Sequence, residues 1–196
     1  AISKISPKEL TLYVLGLSSG SSLGVAFVIM GASILPGFLA ELFVSSLGIL
    51  FASILGSLFV LSLVFLVSKK LKDTLSILIV GLMFSSFTGA IVSVLTYFST
   101  AEELQKFTFW SMGNLGNLSW IQISILSISV LIGLILSLFS IKSLDAFLLG
   151  ENYAKSLGIN IKNQRNLIFI ATGILAGSIT AFVGPIAFVG LAVPHI

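Results

Sequence analysis

Phe43-Val-Ser-Ser-Leu-Gly-Ile-Leu-Phe-Ala-Ser-Ile-Leu-Gly-Ser-Leu-Phe-Val-Leu-Ser-Leu-Val-Phe-Leu-Val-Ser68 contains no Asp, Glu, Lys, Arg or His, and Lys69, Lys70 and Lys72 follow it directly. At 1.5 Å per residue, about 20 apolar residues cross a hydrocarbon core of roughly 30 Å. The stretch therefore reads as one complete transmembrane helix. Charge-free stretches of the same kind occupy 75–98, 119–141 and 166–182, and 11–34 is equally free of charge but richer in Gly and Ser. The chain is 57% hydrophobic and 9% charged, whereas about a quarter of a soluble domain is charged. The expected fold class is an all-α polytopic membrane protein. It has five full transmembrane helices and the start of a sixth, plus short interfacial and coupling helices, in one domain over 1–196.

Charge orients the helices. Lys4 and Lys8 precede the first span, Lys69, Lys70 and Lys72 lie between the second and third, and Lys142, Lys155, Lys162 and Arg165 lie between the fourth and fifth. If the spans alternate, nine of the ten Lys and Arg fall on one face, and the other face holds Glu41, Glu102, Glu103 and Lys106. Short basic loops stay cytoplasmic. Residues 1–10, 69–74 and 142–165 are thus expected inside the cell membrane, with 35–42 and 99–118 outside. Trp110 and Trp120 flank the outer boundary, where indoles favour the interface.

Two loops are too long for turns. In 99–118, Thr100-Ala-Glu-Glu103 has the capping-box pattern, with acid in the first helical turn. It predicts a short interfacial helix over 101–112, with Leu104, Phe107 and Ser111 on one face, before the Gly113-Asn-Leu-Gly-Asn117 turn. In 142–165, Ser143 is a candidate cap for a short helix 144–149, broken by Gly150. A second helix, 151–157, opens at Glu151 and stops before Gly158, a residue suited to a left-handed C-terminal cap. Tyr153, Ala154 and Leu157 share a face there. A short apolar face on a cytoplasmic loop either docks on something outside the membrane or packs back onto the spans.

Within the spans, Gly16-Leu-Ser-Ser-Gly20-Ser-Ser-Leu-Gly24 is a doubled small-xxx-small pattern, repeated as Ala52-xxx-Gly56, Ser85-xxx-Gly89 and Gly173-xxx-Gly177. Such patterns let helices approach to backbone contact. Gly184-Pro185-Ile-Ala-Phe188-Val-Gly190-Leu-Ala-Val-Pro194-His195 interrupts the helix twice. Irregular backbone at membrane depth is tolerated where protein or a water-filled cavity satisfies it, so this is a candidate turn beside a pathway. His195 is the sole histidine and Cys is absent, so no metal-ligand set is found and no cofactor is expected. No phosphate loop, paired-carboxylate site or nucleophile triad is present. The Gly16-Leu-Ser-Ser-Gly20 run imitates a serine elbow but has no base nearby in sequence. The bases are dispersed among the loops, which does not suggest nucleic acid.

Four segments together resemble the permease subunits of type II ABC importers, which move iron–siderophore complexes, haem and cobalamin. They are Gly16–Gly24, Phe109-Trp-Ser-Met-Gly-Asn-Leu-Gly116, Leu149-Gly-Glu-Asn-Tyr-Ala-Lys-Ser-Leu-Gly158 and Val183-Gly-Pro-Ile-Ala-Phe-Val-Gly-Leu-Ala-Val-Pro-His-Ile196. The resemblance implies two permeases, two ATPase subunits and an extracytoplasmic binding protein. Against a family pattern of about ten helices, this chain resembles the third helix to the start of the eighth, an internal piece of a longer subunit. Ser6-Pro7-Lys-Glu-Leu-Thr-Leu12 departs from the Asn-Pro and acidic pattern usual there.

The resemblance also implies roles. Leu148, Leu149, Gly150, Glu151, Tyr153, Ala154, Leu157 and Gly158 would dock in a cleft of the ATPase. Asp73 and Thr74 would form a cytoplasmic gate at the dimer axis. The helix 75–98 and the short helix 101–112 would line the pathway. Gly184, Pro185, Phe188 and Gly190 would form a turn near its outer part.

The expected function is that of a permease that, as a dimer, carries a metal chelate and is powered by ATP hydrolysed in a separate subunit. An iron–siderophore complex is the first expectation, with haem and cobalamin beside it. The spans agree, because a proton- or ion-coupled carrier places ionisable groups within the membrane. The alternative is an ion-coupled secondary transporter or channel that holds ions with broken-helix carbonyls. An intramembrane enzyme would need a polar constellation that the spans do not show.

Overall fold

The computed structural model describes residues 7–31, 44–68, 74–113, 116 and 118–185. These form seven helices and no strand: α1 (Pro7–Gly31), α2 (Ser46–Ser68), α3 (Thr74–Phe98), α4 (Ala101–Ser111), α5 (Trp120–Leu148), α6 (Glu151–Ser156) and α7 (Ile161–Val183). Ser46–Val67, Ile79–Phe98, Trp120–Phe147 and Ile161–Val183 are each long and apolar enough to cross a membrane. The remaining predicted span lies in α1, whose 25 residues extend about 37 Å. It begins at Pro7 rather than at residue 11. Proline suits a first helical turn, where its missing N–H is not needed.

The largest departure from expectation is α5. The sequence predicts a span ending at 141 and a separate helix 144–149 capped by Ser143. Instead one helix of 29 residues continues to Leu148, about 43 Å long. Ser143 sits inside it, buried, and caps nothing. Extending an existing helix costs less than nucleating a new one, and no Gly or Pro intervenes before Gly150. At the other side of the loop, α7 starts at Ile161 rather than 166, because the Asn160 side chain accepts the Asn163 N–H at 3.2 Å. The expected 24-residue loop contracts to 149–160, with α6 inside it.

The centre of the bundle is α1, packed on α2, α3 and α7, while α2 also packs on α7, and α7 on α5. Its interior is made of small residues. Val25, Val60, Ser21, Ser53, Ser57, Ser140 and Ser178 are the largest side chains with essentially no exposure. Phe27, Phe51, Leu55 and Phe59 point outward. This inversion of the soluble pattern is expected in lipid, where large apolar side chains gain nothing by leaving the surface and close packing drives association.

The patterns at Gly20–Gly24, Ala52–Gly56 and Gly173–Gly177 make the close contacts that the sequence suggests, whereas a Cβ on Gly89 meets nothing within 4 Å among the described residues. A Cβ on Gly24 would collide with the Ala52 carbonyl, and one on Gly56 with the Gly20 carbonyl. On the opposite side of α2, Ser53 Oγ donates to Gly177 O at 2.7 Å and Ser57 Oγ donates to Gly173 O at 3.1 Å. A Cβ on Gly177 would lie 2.7 Å from Ile54 Cα. Thus α2 is clamped by glycine seams on two sides. α3 is attached through α1, where Ser19 Oγ and Ser85 Oγ are 3.1 Å apart.

Contacts also define the two ends. Phe65 near the end of α2 packs edge-on against Phe169 near the start of α7, with ring centroids 4.7 Å apart, and the Arg165 guanidinium lies 5.4 Å from the Phe65 ring centroid. At the opposite end, Gln122 Nε2 donates to Ser46 Oγ at 3.2 Å. Among the described residues, the bases Lys8, Lys142, Lys155, Lys162 and Arg165 outnumber the acids Glu9, Asp145 and Glu151 at the first end, and Glu102 and Glu103 outnumber Lys106 at the second. This is the charge asymmetry expected of alternating spans.

Candidate functional site

The segment 148–158 is built by two glycines. Leu148 closes α5, and the N–H groups of Leu149 and Gly150 bond to the Ala146 and Phe147 carbonyls at 3.2 and 3.0 Å. Gly150 then takes φ +109 and Gly158 takes φ +77. A Cβ at either would meet open space, so backbone conformation alone calls for glycine there. Glu151 opens α6, and Gly158 closes it in the Schellman arrangement. The Gly158 N–H bonds to Lys155 O at 2.9 Å, and the Ile159 N–H bonds to Ala154 O at 3.1 Å. The left-handed stop read from the sequence is therefore present.

The expected apolar face of Tyr153, Ala154 and Leu157 does not hold as a unit. Ala154 has 0% exposure, enclosed where α6 packs on α5 and α7. Tyr153, Leu157 and Leu149 are 47%, 57% and 68% exposed. Ala154 thus anchors α6 to its own subunit, and the outward face is Leu149, Tyr153 and Leu157. The i, i+1, i+4 spacing could not separate the two, because neighbouring positions straddle the boundary of a helical face. Lys155 stands exposed beside this face.

Thr74 is the first residue of α3, while Asp73 lies outside the described residues. Gly184 and Pro185 follow α7 at the end opposite the 148–158 segment, about 34 Å away along its 23 residues. Among the described residues the sequence-derived candidates therefore do not converge on one site: 148–158 precedes α7, Gly184 and Pro185 follow it, and Thr74 opens α3. Gly184 takes φ +85 and is buried. Phe188, Gly190 and His195 lie outside the described residues.

At that end, α4 carries the predicted capping box in full. The Glu103 N–H bonds to Thr100 Oγ1 at 3.4 Å, and the Thr100 N–H bonds to Glu103 Oε2 at 3.0 Å. Its packed face differs from the one expected. Leu104 is 42% exposed whereas Glu103 is buried, and Phe107 and Trp110 stack with centroids 5.6 Å apart. Trp110 Nε1 donates to Ala181 O at 2.8 Å. A cavity of about 320 Å³ lies alongside, lined by Ser46, Phe109, Trp110, Gln122 and Phe182 among others.

Two caps escaped the sequence reading although their signals were present. Ser119-Trp-Ile-Gln122 is a second capping box, with the Ser119 N–H bonded to Gln122 Oε1 at 2.9 Å. Asn160 caps α7. Among the described residues no cluster of His, Asp or Glu could hold a metal ion.

Comparison with known proteins agrees with this architecture. Residues 10–196 match the FecCD transport family. The hemin transport system permease protein HmuU of Yersinia pestis is 34% identical over 184 residues, which are 93% of this chain and 54% of the relative. The vitamin B12 import system permease protein BtuC of Salmonella newport is 33% identical over 93% of this chain and 53% of its own length. The chain thus spans about half the length of these relatives. A solved structure, described as an inward-facing conformation of an ABC transporter assigned to the metal-chelate type, superposes with a TM-score of 0.67 at 29% identity. The superposition covers 94% of this chain and 56% of that one. With multiple membrane-crossing helices and a family match over nearly its whole length, this chain is a multi-pass membrane protein that belongs to the FecCD transport family.

Proposed function

We propose that the chain is the core of a permease subunit that imports a metal chelate across the cell membrane, driven by ATP hydrolysed in cytoplasmic partner subunits. The observation that carries this reading is the six-residue α6. It is set between two positive-φ glycines at the basic end of the bundle and presents Leu149, Tyr153 and Leu157 outward. Large apolar side chains exposed outside the spans are not covered by lipid. They suit a partner surface, where each Å² of apolar burial contributes about 25 cal/mol.

In this reading two ATPase subunits engage α6 of two permease copies, and an extracytoplasmic binding protein delivers the cargo at the α4 end. ATP binding draws the ATPases together, α6 moves, and the paired permeases rock between outward- and inward-open states. Asp73 and Thr74 close the cytoplasmic side, and Gly184, Pro185, Phe188 and Gly190 border the outer pathway. The cargo class is a metal chelate of iron–siderophore, haem or cobalamin type, supported by relatives named for hemin and vitamin B12.

Two substitutions in the full-length complex test the reading. Burying an unpaired charge costs several kcal/mol, so Leu157→Glu is expected to release the ATPase on purification while the permease melts as the wild type does. Ala154→Asp is expected to lower the stability of the permease itself, because that side chain is enclosed in its own subunit. Wild-type ATPase retention and transport in Leu157→Glu would refute entry of energy through α6, whereas full transport by a preparation that holds no ATPase would favour the ion-coupled transporter.

A further inference from the structure

The outer end of α7 has a donor deficit that its own backbone cannot meet. In a continuing helix the Ala181 carbonyl would accept the N–H of residue 185, but residue 185 is proline and has none. Gly184, still carrying an N–H, satisfies Thr180 O at 3.0 Å and then leaves the helix at φ +85. Ala181 is buried, and an unpaired carbonyl at such a site is costly. The missing donor comes from another helix, as Trp110 Nε1–H on α4, at 2.8 Å.

The same joint is closed by backbone. A Cβ on Gly184 would lie 2.6 Å from Trp110 O and 2.9 Å from Gly113 Cα, and a Cβ on Gly113 would lie 2.8 Å from Val183 O. Gly113 is itself at φ +72. Two left-handed glycines therefore meet face to face, with the indole bond beside them. At its other end α4 is linked to α3 through Ser99 and Thr100, and along its length it packs on α1.

We infer that Trp110 is a positioning residue that fixes α4 to the outer end of α7, so that α4 moves with α7 rather than with α3. The other end of α7 follows α6 after only Leu157, Gly158, Ile159 and Asn160. Displacement of the coupling helix then reaches α4 along one continuous helix. Ser53 and Ser57 on α2 hold the middle of that helix. The consequence for transport rests on the proposed function; the mechanical linkage does not.

The test uses the full-length complex in lipid nanodiscs, with nitroxides at cysteines replacing the exposed Lys106 on α4 and Asn163 on α7. Trp110→Phe removes the N–H and keeps an aromatic ring; benzothienylalanine at 110 keeps the bicyclic shape as well. Trp120→Phe, at an 84% exposed indole, is the control. The wild-type 106–163 distance distribution should be narrow, and both Trp110 variants should broaden or split it. Cargo moved per ATP hydrolysed should fall about three- to tenfold, the range that one interhelical hydrogen bond supplies, with the ATPase still bound. A lowered melting temperature with an unchanged 106–163 distribution would overturn the inference, since Trp110 would then only stabilise. The distance needs neither cargo nor ATP. A broadened distribution in a protein that ATP does not drive would count against the transport reading and leave the linkage standing.

Discussion

Gly56 and Gly89 are both the second small residue of a small-xxx-small pattern, Ala52-xxx-Gly56 and Ser85-xxx-Gly89, yet alanine at the two positions should behave in opposite ways. At 56 the added Cβ falls on the Gly20 carbonyl and comes within 3.0 Å of Gly24 N and 3.1 Å of Gly20 C. These neighbours are backbone in the middle of α1 and cannot rotate away, so the two helices must separate by about 1 Å. A gap of that size forfeits a quarter to a half of each dispersion contact of about 0.1–0.2 kcal/mol. Over roughly 20 atom pairs along the seam this comes to about 1 kcal/mol. Overpacking strain adds about 1–3 kcal/mol. The expected destabilisation of Gly56→Ala is thus about 2–4 kcal/mol. At 89 a Cβ meets nothing within 4 Å, and alanine is the better helix former by just under about 1 kcal/mol, so Gly89→Ala should be neutral or mildly stabilising. Ser53→Ala, which loses one interhelical hydrogen bond, should fall between them at about 0.6 kcal/mol. The assay is SDS-titrated unfolding of the full-length subunit in mixed micelles, followed by intrinsic tryptophan fluorescence. Equal losses at 56 and 89, or a larger loss at Ser53 than at Gly56, would refute the view that backbone contact in this seam dominates the packing.

Sidedness and the gate can be tested in a chain that offers a cysteine-free background over these 196 residues. A cysteine at the exposed Lys106 of α4 should react with an impermeant maleimide added to intact cells, and one at the exposed Lys155 of α6 should react only after permeabilisation; labelling of 155 from outside would invert the topology. If Thr74, the first residue of α3, lies at the axis of a permease dimer, Thr74→Cys should cross-link to its twin in the resting complex. The bridge should block uptake until reduced, and a dimer that never cross-links there places the gate elsewhere.

The candidate site was legible where the backbone imposes a rule, and obscured where a boundary depends on neighbours. Gly150 and Gly158 could be read as breakers because their conformations are close to exclusive to glycine, and they stand at φ +109 and +77. The Thr100–Glu103 box could be read because both hydrogen bonds are local. Ser143 misled because serine caps only a helix that has to begin, and α5 had no reason to end before it. Ala154 was misplaced because nothing local states which side of a six-residue helix meets α5 and α7. The Trp110 joint required two facts over 70 residues apart in the chain: a proline that removes a donor at 185 and an indole that supplies one at 110.

The same division explains why the helices were easier to find than their neighbours. Membrane insertion selects for apolar length, so a charge-free run is visible whatever it packs against. In a soluble helix the buried stripe is also the apolar stripe, and periodicity then reveals orientation. Here the outward side is as apolar as the packed one, and Phe51, Leu55 and Phe59 face outward while Ser53 and Ser57 face α7. Orientation is carried by small and hydroxylated residues, which are ambiguous alone. Gly56 and Gly89 look alike in sequence, yet a Cβ at one would strike backbone and a Cβ at the other meets nothing within 4 Å among the described residues. The open space at Gly89 belongs to α3, whose Ile79, Leu82, Met83, Phe87 and Val94 are also exposed. If α3 meets a second permease copy, Gly89→Ala should leave the unfolding of the subunit unchanged while weakening the dimer. Measuring both in one protein separates packing within the subunit from packing between subunits. A dimer as stable as the wild type's would mean that Gly89 faces lipid or the pathway instead.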